Sequence, residues 1–356
     1  MSEKRQRGAL VAPEFTETLS TVWPALMRKN WSLPVAFPCG GSRMDERELA
    51  ADGEIHSADY SVPGKGAKEN SASRILCAVA YPALLLAVVC VAAFALRLRW
   101  DPAWVSPLFL IGVIAYLALL ERLIPYDRNW HPGKAEWRWY GIYFLLTMAG
   151  SGLAQLLVAL AVGLISPEEP AHHLWAEIPG ALLTGSLVSY AVHRLGHRNA
   201  LLWRLHGVHH VPEKVNVANN GVNHVLDIVL AQGLVQLALA VVGFSRPAVL
   251  VAGLFVAAQG YFVHANIDVR IGPLNHLLAS PEQHRLHHST DLSEAGHYGS
   301  DLSCWDHLFG SFTWRPGREP TAVGLQDPAS FPATGEILAA LLHPWRRRPA
   351  PRPGPE

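Results

Sequence analysis

Charge is scarce in this 356-residue chain. Asp, Glu, Lys and Arg together make up 16% of it, and 29 basic residues balance 29 acidic ones. A chain with no net charge offers no basic field for nucleic acid and no bias toward an acidic partner. Cysteine is scarce too. Cys39, Cys77, Cys90 and Cys304 show no paired spacing, which excludes a disulfide framework, a zinc knuckle and a C-x-x-C iron–sulfur motif. No HExxH occurs, so a zinc protease is excluded, and no GxGxxG follows a strand pattern. HPGK at 131–134 lacks the surrounding domain a haem site needs. The opening MSEKRQRGALVAPEF has no apolar core of the kind a signal peptide carries.

Half of the residues are apolar, and they fall in long runs. A spanning helix needs about 20 consecutive apolar residues. The stretches 75–96, 104–120, 140–165 and 178–192 come near or meet that length. A further run, 225–262, is broken at Ser245-Arg246-Pro247 and reads as a hairpin of two helices. The runs are too long for strands and do not alternate. The expected fold is therefore all-α: an integral membrane protein with four to six membrane-embedded helices and a cytoplasmic helical cap.

Three segments follow from composition. Residues 1–72 read as a polar, mostly disordered leader, although FTETLSTVWPALMRKNW within it has the pattern of a short amphipathic surface helix. Residues 73–315 read as the membrane-embedded domain. Residues 316–356 are an extension ending in the basic, proline-rich HPWRRRPAPRPGPE. The loop 121–139 carries Arg122, Arg128, Lys134 and Arg138, whereas SPEEPAHHLW at 166–175 carries no Lys or Arg. Positive loops stay inside. This places the ends of the spans at His193 and His264 on the cytoplasmic side. Arg97 and Arg99 then fall outside, either snorkelling or joining a shallow hairpin.

Histidine is the abundant feature. Of 18 histidines, 13 lie between His193 and His307. His193 and His197 are four apart and share a helix face. His206, His209 and His210 form H-x-x-H-H, and His284, His287 and His288 repeat it. In such a triplet the pair three apart is expected to face one way and the adjacent histidine turns about 100° from its neighbour, so one box can address two ions. His224 and His264 lie between the boxes. Imidazole suits zinc, copper, iron and nickel. Two all-imidazole sites exceed what a structural zinc needs and point to redox chemistry at a two-metal centre. His131, His172, His173 and His343 read instead as interfacial caps, and His276 and His307 as surface or supporting residues. Asp227, Asp268, Asp291, Asp301 and Asp306 are candidates to accept the second ring proton of a ligating histidine.

The pieces HRLGH, LLWRLHGVHH, NHVLD, HANI, PEQHRLHHSTD and YGSDLSCWDHLFGSF, with ERLIPY upstream, resemble the sterol desaturase / fatty acid hydroxylase superfamily of membrane di-iron enzymes. That resemblance implies a dioxygen-dependent lipid hydroxylase or desaturase with two iron ions. It also implies the ligands His193, His197, His206, His209, His210, His284, His287 and His288, with His264 and His224 at the two intervening positions. Val225 stands where the family commonly has proline, and His297 where many members have asparagine. His297 is expected to support a liganding ring, the alternative being an extra ligand. Asn266 and Asp268 are expected beside the centre, and Trp203 and Trp305 as cap packing. A membrane lipid (sterol, fatty acyl or ether lipid) is the implied substrate. A separate electron donor, a ferredoxin or a cytochrome with its reductase, is the implied partner. The loop 121–139 with Arg194, Arg198 and Arg204 is either its docking face or ordinary positive-inside charge. The alternative is a non-catalytic metal-binding or metal-transporting membrane protein. It would be expected to carry ionisable groups within its spans, which are nearly free of them here.

Overall fold

The computed structural model describes residues 71–162 and 169–346. All but the last two residues of the polar leader, its amphipathic piece included, and the last ten residues of the chain lie outside them. Long helices dominate: α1 (Ser71–Leu98), α2 (Pro102–Leu123), α3 (Lys134–Val162), α4 (Leu174–Arg198), α6 (Val225–Val242) and α7 (Arg246–His264). Short helices α5 (Ala200–His206), α8 (Pro281–His287), α9 (Cys304–Leu308) and α10 (Ile337–Leu342) lie between and after them. No strand occurs among the described residues beyond three isolated bridges.

Five helices, α1, α2, α3, α6 and α7, are long and apolar enough to cross a membrane. Their outer faces carry large exposed apolar side chains, among them Leu86, Val89, Leu108, Ile111, Leu145 and Leu160. Water would penalise such a surface and lipid does not. The protein is an integral membrane protein with an all-α fold. The expected span 178–192 lies within α4, which is not among those five. Thr184, Ser186 and Ser189 make this helix more polar than its neighbours, and it ends in HRLGHR.

The helix boundaries follow local chemistry. Asp101 caps α2 by accepting from the Ala103 N–H at 2.9 Å, with Pro102 in the first turn. Gly243 ends α6 at φ +84°, a left-handed cap that suits glycine. Ser245 and Pro247 then start α7, so the expected break at 245–247 is a tight turn between two helices.

One core joins α1, α2 and α7. Tyr81 stacks on Phe262 at 4.2 Å, and its hydroxyl donates to Gln259 Oε1 at 2.9 Å. Beside it, α3 packs along α6, and α4 packs on α6 and α7. Glycines permit the close approach: a Cβ on Gly150 would touch the Val225 carbonyl at 3.1 Å, and one on Gly180 would touch the Phe244 ring at 2.9 Å.

At one end of these helices a buried carboxylate ties three segments together. Glu121, at the end of α2, accepts from the Val217 N–H at 2.6 Å and the Asn266 N–H at 2.8 Å. Asn266 in turn brackets Asp127, accepting from its N–H and donating to its carbonyl. The plate so formed underlies the histidine-bearing segments. The extension after residue 315 folds back on the segment that carries the second box: Phe331 packs on Trp203, and any Cβ on Gly207 would run into the Phe331 ring.

Candidate metal centre

The turn at Asn199 brings the first two boxes together. Its side chain accepts from the N–H groups of Leu201 and Leu202, ending α4 and starting α5. The chain therefore doubles back, and His206 lies against α4. Gly196 makes room for it, since a Cβ there would lie 3.1 Å from the His206 ring. The third box sits on α8, which starts with a Ser280–Gln283 capping box and Pro281 in its first turn.

Two groups of imidazoles result. His193, His197, His206, His210 and His287 place one nitrogen each within 4.8 Å of one another. His209, His264, His284 and His288 do the same. Each H-x-x-H-H box is divided between the groups: His210 goes one way and His209 the other, as do His287 and His288. The groups are neighbours, with the rings of His210 and His288 stacked at 4.3 Å.

Most of these rings are fixed from behind. The Nδ1 atoms of His193, His209, His264 and His287 lie 2.6–3.0 Å from the carbonyls of Tyr298, Val222, Gly260 and Gly296. His206 Nδ1 lies 3.0 Å from Asp227 Oδ2. A carbonyl can only accept, so Nδ1 carries the proton and Nε2 is left with a lone pair aimed inward. In the first group, Nε2 of His193, His197, His206, His210 and His287 is buried with no hydrogen-bond partner. In the second, His264 Nε2 lies 3.0 Å from His209 Nε2 and 2.8 Å from His284 Nε2. Burial and the neighbouring imidazoles hold His209, His210, His284 and His288 well below the ordinary histidine range. Burial pushes His287 down to about 3. These five rings are neutral at pH 7.

Neutral lone pairs facing each other at about 3 Å repel, and buried unpaired nitrogens are costly. A cation reverses both effects. Nitrogens on a metal at about 2.1 Å lie about 3 Å apart at right angles. The donor set fits a transition metal in each group.

His224 stands in neither group. Its Nδ1 accepts from the Leu226 N–H at the start of α6, and its Nε2 donates to the Leu341 carbonyl at 3.0 Å. Both nitrogens are engaged, so the ring serves as a helix cap and a tie to α10. Of the five candidate aspartates, Asp227 alone meets a boxed ring. Asp306 acts one step back, holding the N–H groups of Tyr298 and Gly299 at 2.7 and 2.8 Å and so fixing the carbonyl that meets His193. Asp268 pairs with Arg270, Asp291 accepts from the Ser293 N–H, and Asp301 accepts from Ser186. Asn266 belongs to the Glu121 plate. His297 is buried at φ +58°, with Nδ1 3.7 Å from Asp306, and its ring meets Phe312 rather than a boxed histidine. Trp203 packs on His197 and His210, at 5.2 and 5.5 Å between rings. Trp305 donates to Ser186. Arg194 and Arg204 are held by Tyr190 and Phe309 and by the carbonyls of His343 and Arg346. Sequence reasoning missed the carbonyls of Tyr298, Val222, Gly260 and Gly296. Every residue has a carbonyl, so no side-chain pattern marks them.

The histidines open onto a cavity of about 900 Å³. His193, His206, His209, His264 and His284 stand at one end, and the walls are residues of α2, α3, α4, α6 and α7. Most of the lining is apolar, including Leu182, Val235, Leu239, Val249 and Val256.

Comparison with known proteins agrees with this site. The family model for fatty acid hydroxylases matches residues 178–311, a range that holds both imidazole groups. The ornithine lipid hydroxylase OlsE of Rhizobium tropici is 31% identical over 298 residues, covering 78% of this chain and 87% of that protein. Alkylglycerol monooxygenase of Danio rerio is 28% identical over 170 residues, 44% of this chain and 35% of the relative. The Homo sapiens enzyme of the same name is 29% identical over 156 residues, 43% and 33% of the two chains. No solved structure matches. With an alignment that spans most of both proteins and a metal-ready histidine core within the matched residues, the chain belongs to the fatty acid hydroxylase family.

Proposed function

We propose that this protein is a dioxygen-dependent hydroxylase of a membrane lipid, with one iron in each imidazole group. The observation that carries the reading is the meeting of two inward-facing sets of neutral nitrogens with a cavity between membrane helices. His193, His197, His206, His210 and His287 hold one ion, and His209, His264, His284 and His288 the other. When bound, such a pair supplies oxidation of an unactivated C–H bond by dioxygen. One oxygen atom enters the C–H bond and the other leaves as water. A separate donor protein supplies the two electrons, because the chain shows no motif for a flavin, haem or iron–sulfur carrier of its own.

The chain's own residues position and protect. Tyr298, Val222, Gly260 and Gly296 hold the Nδ1 protons, and Asp227 holds that of His206 and strengthens it as a donor. The apolar walls exclude bulk water and let a lipid enter sideways with its reacting carbon at the histidine end. The named relatives act on ornithine lipid and alkylglycerol. A polar lipid with long chains suits a cleft of this lining. The active end faces the cytoplasm by the charge of the loop 121–139, where a donor protein can reach it.

The test is mass spectrometry of lipid extracts from cells with and without the gene, together with metal analysis of the purified protein. Hydroxylation adds about 16 mass units to one lipid class and desaturation removes about two. A 16-unit product that depends on about two irons per chain supports the reading. A two-unit loss would make the protein a desaturase. Full activity in iron-free protein would overturn the metal assignment.

A further inference from the structure

Polar side chains within membrane-spanning helices are costly and usually serve the interior of a bundle. Besides Asn220 and Asn223 near the histidines, three side-chain amides on the spanning helices line the cavity: Gln155 on α3, and Gln232 and Gln236 on α6. Thr147 and Ser151 line it as well, so α3 presents Thr147, Ser151 and Gln155 at successive intervals of four, on one face. Gln232 and Gln236 are likewise four apart. The two walls are in register. Gly150 lies against Val225 and Ile228, and Gly233 lies opposite Ala154, whose Cβ is 3.9 Å from its Cβ position. The helices thus run side by side in the same direction, and Gln155 stands at the level between Gln232 and Gln236. None of the three amides hydrogen-bonds to the described residues.

The level is informative. Asp227 holds His206 at the start of α6. At 1.5 Å per residue, Gln232 and Gln236 lie about 8 and 14 Å farther along the helix. We infer that these amides bind the acyl carbonyl of the lipid, about 8–14 Å from the carbon that is oxidised. This rests on the hydroxylase reading above for the site of oxidation. A carboxamide offers N–H donors and a carbonyl acceptor. An ester carbonyl satisfies the donors, and an amide linkage satisfies donor and acceptor together. A bare hydrocarbon chain satisfies neither. No carboxylate, lysine or arginine lines the cavity at this level, so a charged group has no partner there. Arg246 also lines the cleft, but from the opposite end of α7, 18 positions from His264.

The experiment uses the full chain as purified, in nanodiscs and without a reductant so that no turnover occurs, and three chain-matched phosphocholine lipids: ester-linked, amide-linked and ether-linked. Each competes with a fluorescent lipid for the cavity. The native protein is expected to hold the ester or amide lipid about tenfold more tightly than the ether lipid, the value of one or two net hydrogen bonds. The ester and amide arms tell which linkage is preferred. Gln232→Leu with Gln236→Leu removes the preference while iron uptake is unchanged. Gln155→Leu, on the other wall, reports independently if the double variant fails to insert. Equal binding of all three lipids by the native protein would overturn the inference, as would a preference that survives both variants. Because binding is read without turnover, a carbonyl preference in a protein that hydroxylates nothing would sink only the hydroxylase reading.

Discussion

His209 Nε2 and His264 Nε2 face each other at 3.0 Å, and each ring has its Nδ1 on a backbone carbonyl, Val222 for one and Gly260 for the other. Two lone pairs are thereby set against each other in a fully buried place. The protein has arranged a contact that is unfavourable alone and favourable around a cation. His284 Nε2 approaches the same His264 nitrogen at 2.8 Å, with its own Nδ1 buried and unpartnered.

Removing His264 takes away the nitrogen that both His209 and His284 approach. His264→Ala is expected to lower the iron content of purified protein by about half, leaving the first group loaded, and to abolish hydroxylation. Metal analysis beside activity measures this, and a variant with full iron and full activity would remove His264 from the centre. Ligands set a metal's affinity directly, whereas supporting residues typically alter it by about 10–100-fold.

Asp227→Asn tests the support of His206. The amide keeps the size and loses the charge that strengthens the ring as a donor. Activity or iron affinity is expected to fall about 10–100-fold with the fold intact. An effect within about twofold would mean that the contact at 3.0 Å is only structural.

His224→Ala separates neighbours in sequence from partners in space. Both ring nitrogens are committed to Leu226 and Leu341. The variant is expected to keep its iron and lose about 1–3 kcal/mol of stability, the range for two hydrogen bonds lost from a buried site. Loss of half the iron would instead make it a ligand.

Acid should unfold the metal-free protein early. His287 titrates at about 3 in the fold and near 6.5 in an unfolded chain. Between those values the unfolded state binds a proton that the folded state refuses. Stability is therefore whole above about pH 6.5 and lost as pH falls toward about 3, by up to about 1.4 kcal/mol per pH unit for each such ring. His209, His210, His284 and His288 shift in the same direction and steepen the loss. Thermal melts of iron-free protein between about pH 5 and 8 measure the slope. A flat profile would mean that these rings are not held neutral by burial.

The helices and the residue types of the site can be read from the chain alone. Long apolar runs can satisfy their backbone in lipid only as helices, so the spans and the break at Ser245–Pro247 were legible. The interval of four marked pairs that do meet, His193 with His197, His206 with His210 and His284 with His288, whereas the pairs three apart, His206 with His209 and His284 with His287, divide between the two groups. The character of α4 was less legible, because a helix buried among others need not be apolar enough to span. How the boxes sort is settled only in three dimensions: His209 from His210, His287 from His288, and His224 from all of them. That sorting depends on the turn at Asn199, on the room left by Gly196 and on the carbonyls behind the rings. The register of Gln155 against Gln232 and Gln236 belongs to it as well. Spacing records angles around one helix axis. It holds no information about the distance between two helices, and a metal or a lipid is held by that distance.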